Sequence, residues 1–334
     1  MRTGLKLLGS LLLMAGSGVL AFQILNQPVG ESSDIRIVEI PKGISANQIA
    51  HHLRKENLLT TEWFFTGIAR LKGEDRKIIP GEYLLDGGMR TTEILAKLVG
   101  GRVYYHSVTI PEGYTVVQIA HLLAAKELTD PAEFLRLTRD SDLIHSLELQ
   151  VPTLEGFLFP DTYFFSRPTP PDAIIRTLVH RLWQTFTPEF QARAEELGMS
   201  IQEVLTLASL IEKETGLTEE RHLISGVFHN RLRQNIPLQS DPTLIYVLKD
   251  FDGKIRKEDL LLASPYNTYL EVGLPPGPIA NPGEAAIRAA LFPTPTDFVY
   301  FVSRNDGSHE FSSTLAEHNQ AVEKYQRGRR KQAS

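Results

Sequence analysis

Apolar residues recur along most of this 334-residue chain at the spacing of a helix or a strand, and one run near its start does neither. From Leu7 to Leu25 nineteen residues carry no charge, with Arg2 and Lys6 before them and Glu31 and Asp34 after. At 1.5 Å per residue the run spans about 28 Å, close to the ~30 Å hydrocarbon core of a bilayer. A cleaved signal peptide would have an apolar region of roughly 7–15 residues and a small-x-small site. Leu20-Ala21-Phe22-Gln23 offers no such site. The pattern predicts a stub over 1–6 and a single-pass transmembrane helix over 7–25. The basic residues before the span place the N-terminus in the cytoplasm and the remainder outside it.

After a polar linker over 26–34, one pattern occurs twice. Val38-Glu-Ile-Pro-Lys-Gly-Ile-Ser-Ala-Asn-Gln-Ile-Ala-His-His-Leu53 matches Val108-Thr-Ile-Pro-Glu-Gly-Tyr-Thr-Val-Val-Gln-Ile-Ala-His-Leu-Leu123 at a constant offset of 70 residues. Each copy reads as a strand, a Pro-x-Gly turn and a helix begun by a Ser or Thr cap, Ser45 or Thr115. Two copies are too few for a solenoid and predict a duplicated strand-helix unit opening two successive modules. In the first module Trp63-Phe64-Phe65 starts another helix, Ile79 to Leu85 is a turn and a strand, and a helix over 92–99 stops at Gly100-Gly101. Further on, helices are expected over about 172–185 and 188–197. Ser200-x-x-Glu203 is a capping box opening a third, which Gly216 should end. Helix and strand patterns mix without regular alternation, so the expected class is α+β.

That third helix carries Leu207-Ala-Ser-Leu-Ile-Glu-Lys-Glu-Thr215. At about 100° per residue Glu212 falls within roughly 20° of Ile201 and Leu205, where a leucine would be expected. A carboxylate there must be paired or keep its proton, and the second case raises its pKa toward the range of a general acid. The first case is open too, since Lys213, Arg221 and Arg231 are near in sequence. Glu214, roughly 200° around the helix from Glu212, faces elsewhere and is the competing acid.

The net charge of −5 gives no footprint for nucleic acid, and the absence of cysteine excludes disulfides and thiolate chemistry. No serine-hydrolase, zinc-peptidase or phosphate-loop signature occurs, and no metal or cofactor is expected. His51 and His121 fall on the exposed side of their helices, and His309, Glu310 and His318 are weakly spaced for a metal. Four loop-like segments, 238–243, 264–269, 273–279 and 309–319, combine amide, hydroxyl and aromatic groups that suit a sugar.

These segments also carry a resemblance. Leu207 to Thr215, Phe228-His-Asn-Arg-Leu232, Leu238-Gln-Ser-Asp-Pro-Thr243, Tyr266-Asn-Thr-Tyr269, Gly273-Leu-Pro-Pro-Gly277 and Leu154-Glu-Gly-Phe-Leu-Phe-Pro-Asp-Thr-Tyr163 are similar to the ordered motifs of the YceG-like family. The resemblance implies a bacterial inner-membrane protein with a LysM-like subdomain over 35–105 and a catalytic domain over 106–326 outside the cytoplasm, and the charge run Arg327-Gly-Arg-Arg-Lys331 makes 327–334 a basic tail. It implies endolytic cleavage of the β-1,4 bond between N-acetylmuramic acid and N-acetylglucosamine in peptidoglycan, leaving 1,6-anhydro-muramyl ends and terminating nascent strands. Association with penicillin-binding proteins and the synthesis machinery is implied as well. The family's catalytic glutamate is carried onto the first Glu of Glu-Lys-Glu-Thr, Glu212. Glu155, Gln239, Asp241, Asn267, Tyr269 and Asn319 are the expected substrate-binding residues. A lone acid suits such a reaction, because the sugar's own C6 hydroxyl replaces water and returns a proton to the acid. The alternatives are a non-catalytic glycan-binding scaffold, a hydrolase using Asp241 as second carboxylate, and an enzyme of another polysaccharide.

Overall fold

A computed structural model describes residues 2–167, 169–248 and 251–327, with side chains described within 14–326. The chain is mixed α+β, mostly helical, with its strands paired in twos. It forms two compact units, the first of 1–107 with 164–168 and the second of 108–163 with 169–334.

The first unit begins with helix α1 (Arg2–Leu25). Seven of the nineteen residues of the expected span, 7–13, have side chains outside the described set. Among the described residues no helix is long and apolar enough to cross a membrane. Strand β1 (Ile35–Ile40), helices α2 (Ala46–Lys55) and α3 (Glu62–Leu71), strand β2 (Gly81–Asp86) and helix α4 (Thr91–Val99) follow. β1 and β2 pair antiparallel with Val38 opposite Tyr83 and Ile40 opposite Gly81, which turns Val38, Ile40, Tyr83 and Leu85 into one core with Leu53, Phe65 and Leu95. The Tyr83 ring is fully buried, and its hydroxyl lies 2.6 Å from Ile79 O and 3.2 Å from Leu98 O, so its hydrogen has an acceptor. Burial pushes that phenol up to about 12. The expected polar linker over 26–34 is in part packed. Asn26 is buried and accepts from Thr92 N at 3.0 Å, and Gly30 N donates to Gly87 O at 2.9 Å. Short polar side chains satisfy backbone donors, a use that hydropathy does not register.

Strand β3 (His106–Thr109) leads into the second unit and pairs with β4 (Thr162–Phe165). Between them lie α5 (Val116–Ala125), α6 (Pro131–Leu137) and α7 (Ser141–Ser146). The repeat is visible in both copies. Ser45 and Thr115 each accept from the backbone N–H three residues on, and Gln48 and Gln118 return the bond to close a capping box. The glycine of each Pro-x-Gly turn is left-handed, with φ of +84° at Gly43 and +74° at Gly113, which accounts for glycine at both places. Then come α8 (Pro171–Thr185), α9 (Pro188–Leu197), α10 (Ile201–Glu214), α11 (Thr218–Arg233), α12 (Asp241–Val247), α13 (Glu284–Leu291), the antiparallel hairpin β5 (Tyr300–Ser303) and β6 (His309–Ser312), and α14 (Leu315–Val322).

Helix α10 is the axis of this unit. Ser200 and Glu203 form its capping box, and it packs against α9, α11, α12 and above all α13. Every residue from Val204 to Ile211 is buried, so the apolar stripe read from the sequence extends around the whole circumference. The two hydroxyls inside it are satisfied. Thr206 donates to Gln202 O at 2.7 Å, and Ser209 donates to Thr206 O while accepting from Ile279 N at 3.0 Å. The helix ends one residue before the expected glycine stop, at Thr215 in extended conformation with φ of −142°. Gly216 is not left-handed, and Leu217 is already the cap of α11. Two of the four loop-like segments are also more regular than expected. Asp241 starts α12, and 309–319 contains β6 and the first turns of α14. Both begin at polar caps, Ser240 and Thr314, whose composition alone resembles that of loops.

Candidate active site

The last turn of α10 sends two carboxylates in different directions. Glu212 meets α11 and the start of α13. Its side chain is 6% exposed, Oε1 lies 3.1 Å from the Arg221 guanidinium, and Oε2 accepts from Gly283 N at 3.0 Å. Gly283 is the N-cap of α13, so the carboxylate also sits at the positive end of a helix. Glu112 stands 3.8 Å from the same guanidinium. Burial raises the pKa of Glu212 above the ordinary range, while the Gly283 N–H and Arg221 act in the opposite direction. The expectation of an acid on an apolar flank is thus met only in part. Its neighbour is a buried cation, and both its oxygens are taken.

Glu214 faces a cleft of 480 Å³. Its Oε1 accepts from Ser240 Oγ at 2.5 Å. Burial is the largest influence on it, the charge of Asp241 adds to that, and Ser240 and Arg231 oppose, with the pKa pushed up to about 7. The cleft is lined by Gln239, Asp241, Tyr269, His309 and His318 as well. Asp241 is exposed and takes the Tyr269 hydroxyl at 2.5 Å. Gln239 holds a left-handed φ of +51°, a strained backbone for a non-glycine residue. The strain is imposed by neighbours, since Gln239 N donates to Thr268 O at 2.9 Å and its side chain accepts from Arg231 at 3.3 Å. His318 stacks on Tyr300 with ring centroids 5.0 Å apart, and its buried Nδ1 has no hydrogen-bond partner among the described residues. Burial lowers its pKa, so the imidazole is neutral at pH 7.

The remaining expected site residues lie elsewhere or serve the scaffold. Asn267 is fully buried, donates to Leu260 O and Leu262 O at 3.0 and 2.9 Å, and accepts from Tyr269 N, so it shapes the loop that presents Tyr269. Asn319 is exposed on α14 and does not line the cleft, whereas its neighbour His318 does. Glu155 is buried at the start of α5, where both its oxygens lie within 3.2 Å of Val116 N and one accepts from Asn281 at 3.0 Å. Burial pushes its pKa up to about 7 against those bonds. His309 Nδ1 lies 2.7 Å from Glu220, and Glu310 pairs with Arg304 at 2.8 Å, so these groups answer to separate partners. Among the described residues no cluster of His, Asp and Glu could hold a metal ion.

Sequence reasoning missed three residues that organise this unit. Arg231 is buried and donates to Val299 O, Pro237 O and Leu238 O at 2.6, 2.9 and 3.0 Å, fixing the loop from α11 to α12 that carries Gln239 and leads into Asp241. Its neighbours His229 and Asn230 also bond backbone carbonyls, at Ala290, Thr296 and Phe298. Asn281, with no exposure, accepts from Leu158 N and donates to Tyr114 O and Glu155. Ser240 orients Glu214. A polar residue inside a Pro- and Gly-rich segment was the only signal available for Ser240 and Asn281.

The pattern of the YceG-like family matches residues 38–324. The chain belongs to this family. An endolytic murein transglycosylase of Bacillus subtilis is 34% identical over 330 residues, covering 94% of this chain and 91% of its own length. One of Streptococcus pneumoniae is 31% identical over 85% of this chain and 57% of its own length. Among solved structures, a YceG-like protein of Listeria monocytogenes is 32% identical with a TM-score of 0.60, covering 86% of this chain and 99% of that one. The six motifs that suggested the family are thereby accounted for. Of these, Phe228 to Leu232 builds scaffold, while the end of Leu207 to Thr215, the segment 238–243 and Tyr269 meet at the Glu214 cleft.

Proposed function

We propose that this YceG-like protein is an endolytic murein transglycosylase, a lyase that cuts the β-1,4 bond between N-acetylmuramic acid and N-acetylglucosamine within peptidoglycan strands. The observation that carries the reading is the place of Glu214 at the end of α10, where it lines a cleft with amide, carboxylate, phenol and imidazole groups and burial pushes its carboxyl up to about 7. Glu212 fits an acid's role less well. A proton on it would break an ion pair to a buried guanidinium, and its two oxygens are already engaged.

In this reading Glu214 donates its proton to the glycosidic O4 as the C1–O4 bond breaks and its electrons pass to that oxygen. The C6 hydroxyl of the muramyl residue then bonds to C1, and its proton goes to the Glu214 carboxylate, which ends as it began. Intramolecular attack proceeds at high effective molarity, so the protein need not bind and activate water. Ser240 steadies the carboxylate, and the side chains of Gln239 and Asp241 line the same cleft as partners for sugar hydroxyls.

The acid must be protonated before the cut. Because its pKa is raised to about 7, kcat/KM should be flat below that pH and fall about tenfold per unit above it. A profile falling instead below pH 5 would assign the step to an ordinary, ionised carboxylate.

Asp241 supports a second reading. It lines the same cleft, and as a base for water it would make the enzyme a hydrolase. The test is digestion of purified sacculi by the full-length protein in detergent, with mass spectrometry of the fragments. Anhydro-muramyl ends are expected. Reducing ends would install the hydrolase reading, and sacculus binding without release of fragments would leave a scaffold.

The same reading makes α1 a single-pass anchor in the cytoplasmic membrane with both units outside the cytoplasm. Exposed Met14, Val19, Leu20 and Ile24 on that helix support it. The strand-helix-helix-strand order of the first unit supports a LysM-like module that holds glycan.

A further inference from the structure

The first unit carries an apolar and basic face that its own core does not use. Helix α3 buries Phe64, Phe65, Ile68 and Ala69 and turns Trp63, Gly67, Arg70 and Leu71 outward, within an arc of about 100° on the helical wheel. Trp63 is 63% exposed and Leu71 88%, the highest value of any large apolar side chain among the described residues.

Charge gathers beside this stripe. The segment 70–77 has four cations, Arg70, Lys72, Arg76 and Lys77, and two carboxylates, Glu74 and Asp75, a net charge of +2 in a chain whose total is −5. All four cations are exposed, whereas the two carboxylates are half-buried. Arg70 donates to Asn47 at 3.2 Å, and Lys72, Arg76 and Lys77 make no ion pair among the described residues. Glu62, next to Trp63, faces His51 at 3.0 Å.

The face begins where α1 ends. Trp63 stands edge-on to Phe64 with ring centroids 6.1 Å apart, and Phe64 meets Phe22 of α1 edge-on at 5.5 Å. Phe22 comes three residues before the uncharged run ends at Leu25, so this contact lies roughly 4.5 Å inside the run. The join is not loose. Leu25 packs against the core of the first unit, and Asn26 accepts from Thr92 N at 3.0 Å. If α1 crosses a bilayer, the start of α3 is held where hydrocarbon gives way to headgroups, the level at which tryptophan is enriched.

We propose that the outer side of α3 lies on the anionic lipid surface around the anchor, with Trp63 and Leu71 in the interface and Arg70, Lys72, Arg76 and Lys77 at lipid phosphates. The inference rests on α1 being the membrane anchor. Anionic lipid is the occupant that the charge selects, because an apolar stripe flanked by unpaired cations complements a surface that is negative above and oily beneath. The first unit then lies against the membrane instead of swinging on a tether.

The test reads tryptophan emission. The chain has two tryptophans, so Trp183→Phe leaves Trp63 as the sole probe. The full-length protein is placed in phosphatidylcholine vesicles containing about a quarter phosphatidylglycerol, with lipid brominated in the upper acyl chain as quencher. Emission from Trp63 should fall by about half or more, and the quenching should weaken about twofold without phosphatidylglycerol or when Arg76→Glu and Lys77→Glu are added. A probe at the far end of the helix, Leu71→Trp with both native tryptophans changed to phenylalanine, should be quenched to a similar degree. Quenching confined to Trp63, or indifferent to phosphatidylglycerol, would overturn the lipid face, since nearness to the anchor alone gives that result. Flotation with the vesicles reads the anchor separately. Protein that floats with neither probe quenched would keep the anchor and sink the face, and protein that does not float would remove both. Emission from Trp63 that ignores brominated lipid but shifts with purified sacculi would give the residue to glycan.

Discussion

Glu214→Gln is expected to abolish cleavage of peptidoglycan while leaving the fold intact. Removing a general acid that also serves as base costs about a thousandfold or more in kcat. The amide keeps the shape of the side chain and can still accept from Ser240, so the loop carrying Gln239 and Asp241 should not move. The sign of the pH linkage separates this from an unfolding artefact. A folded-state pKa raised to about 7 means that the native protein holds a proton which the unfolded chain releases near 4.5. The associated stability is fully present below pH 4.5 and is lost as pH rises through 7. Glutamine cannot ionise and escapes that loss, so the inactive variant should match or exceed the wild type in Tm at pH 8. An inactive variant with a Tm several degrees lower would show that Glu214 acts on the fold.

Glu212→Gln should do the reverse. The substitution leaves the Arg221 guanidinium, whose side chain is 10% exposed, without its nearest anion and with its Nε already lacking a partner among the described residues. Breaking a buried pair from one side costs about 3 kcal/mol or more, and Glu112, at 3.8 Å and half-exposed to screening water, compensates only weakly. In a unit of this size that corresponds to a fall in Tm of roughly 6–12 °C. Activity per folded molecule should stay within about threefold of wild type, since the cleft itself is not touched. Thermal denaturation and turnover measured on the same preparation settle the matter. A Glu212→Gln protein that is fully folded and inactive would return the acid to the position that motif resemblance gives it.

The contrast shows what a helical wheel can and cannot do. Periodicity, caps and turn residues were enough to place α8, α9 and α10 within a residue or so, and to see that the segment after Ile110 repeats the one after Ile40. The reason is local, as capping boxes at Ser45, Thr115 and Ser200 are made between residues three apart. The wheel also separated Glu212 from Glu214. What it does not show is that on a helix buried all the way round from Val204 to Ile211 each face meets a different set of neighbours.

Those neighbours arrive from far along the chain. Gly283 is 71 residues from Glu212, and Ser240 is 26 from Glu214. Nothing in the sequence near Glu-Lys-Glu distinguishes an acid that will receive a guanidinium from one that will receive a hydroxyl and a cleft. Similarly, the part Glu155 plays in the fold, holding the start of α5, depends on Asn281, 126 residues away.

The sequence by itself determined the α+β class, the duplicated strand-helix unit, the family, and the pair of carboxylates at the end of one helix. Each of these depends on contacts within a few residues or on motifs read in order. Tertiary structure alone decided which carboxylate is paired and which faces a cleft, because protonation in a protein interior is set by desolvation and by charges within a few ångströms, whatever their distance along the chain.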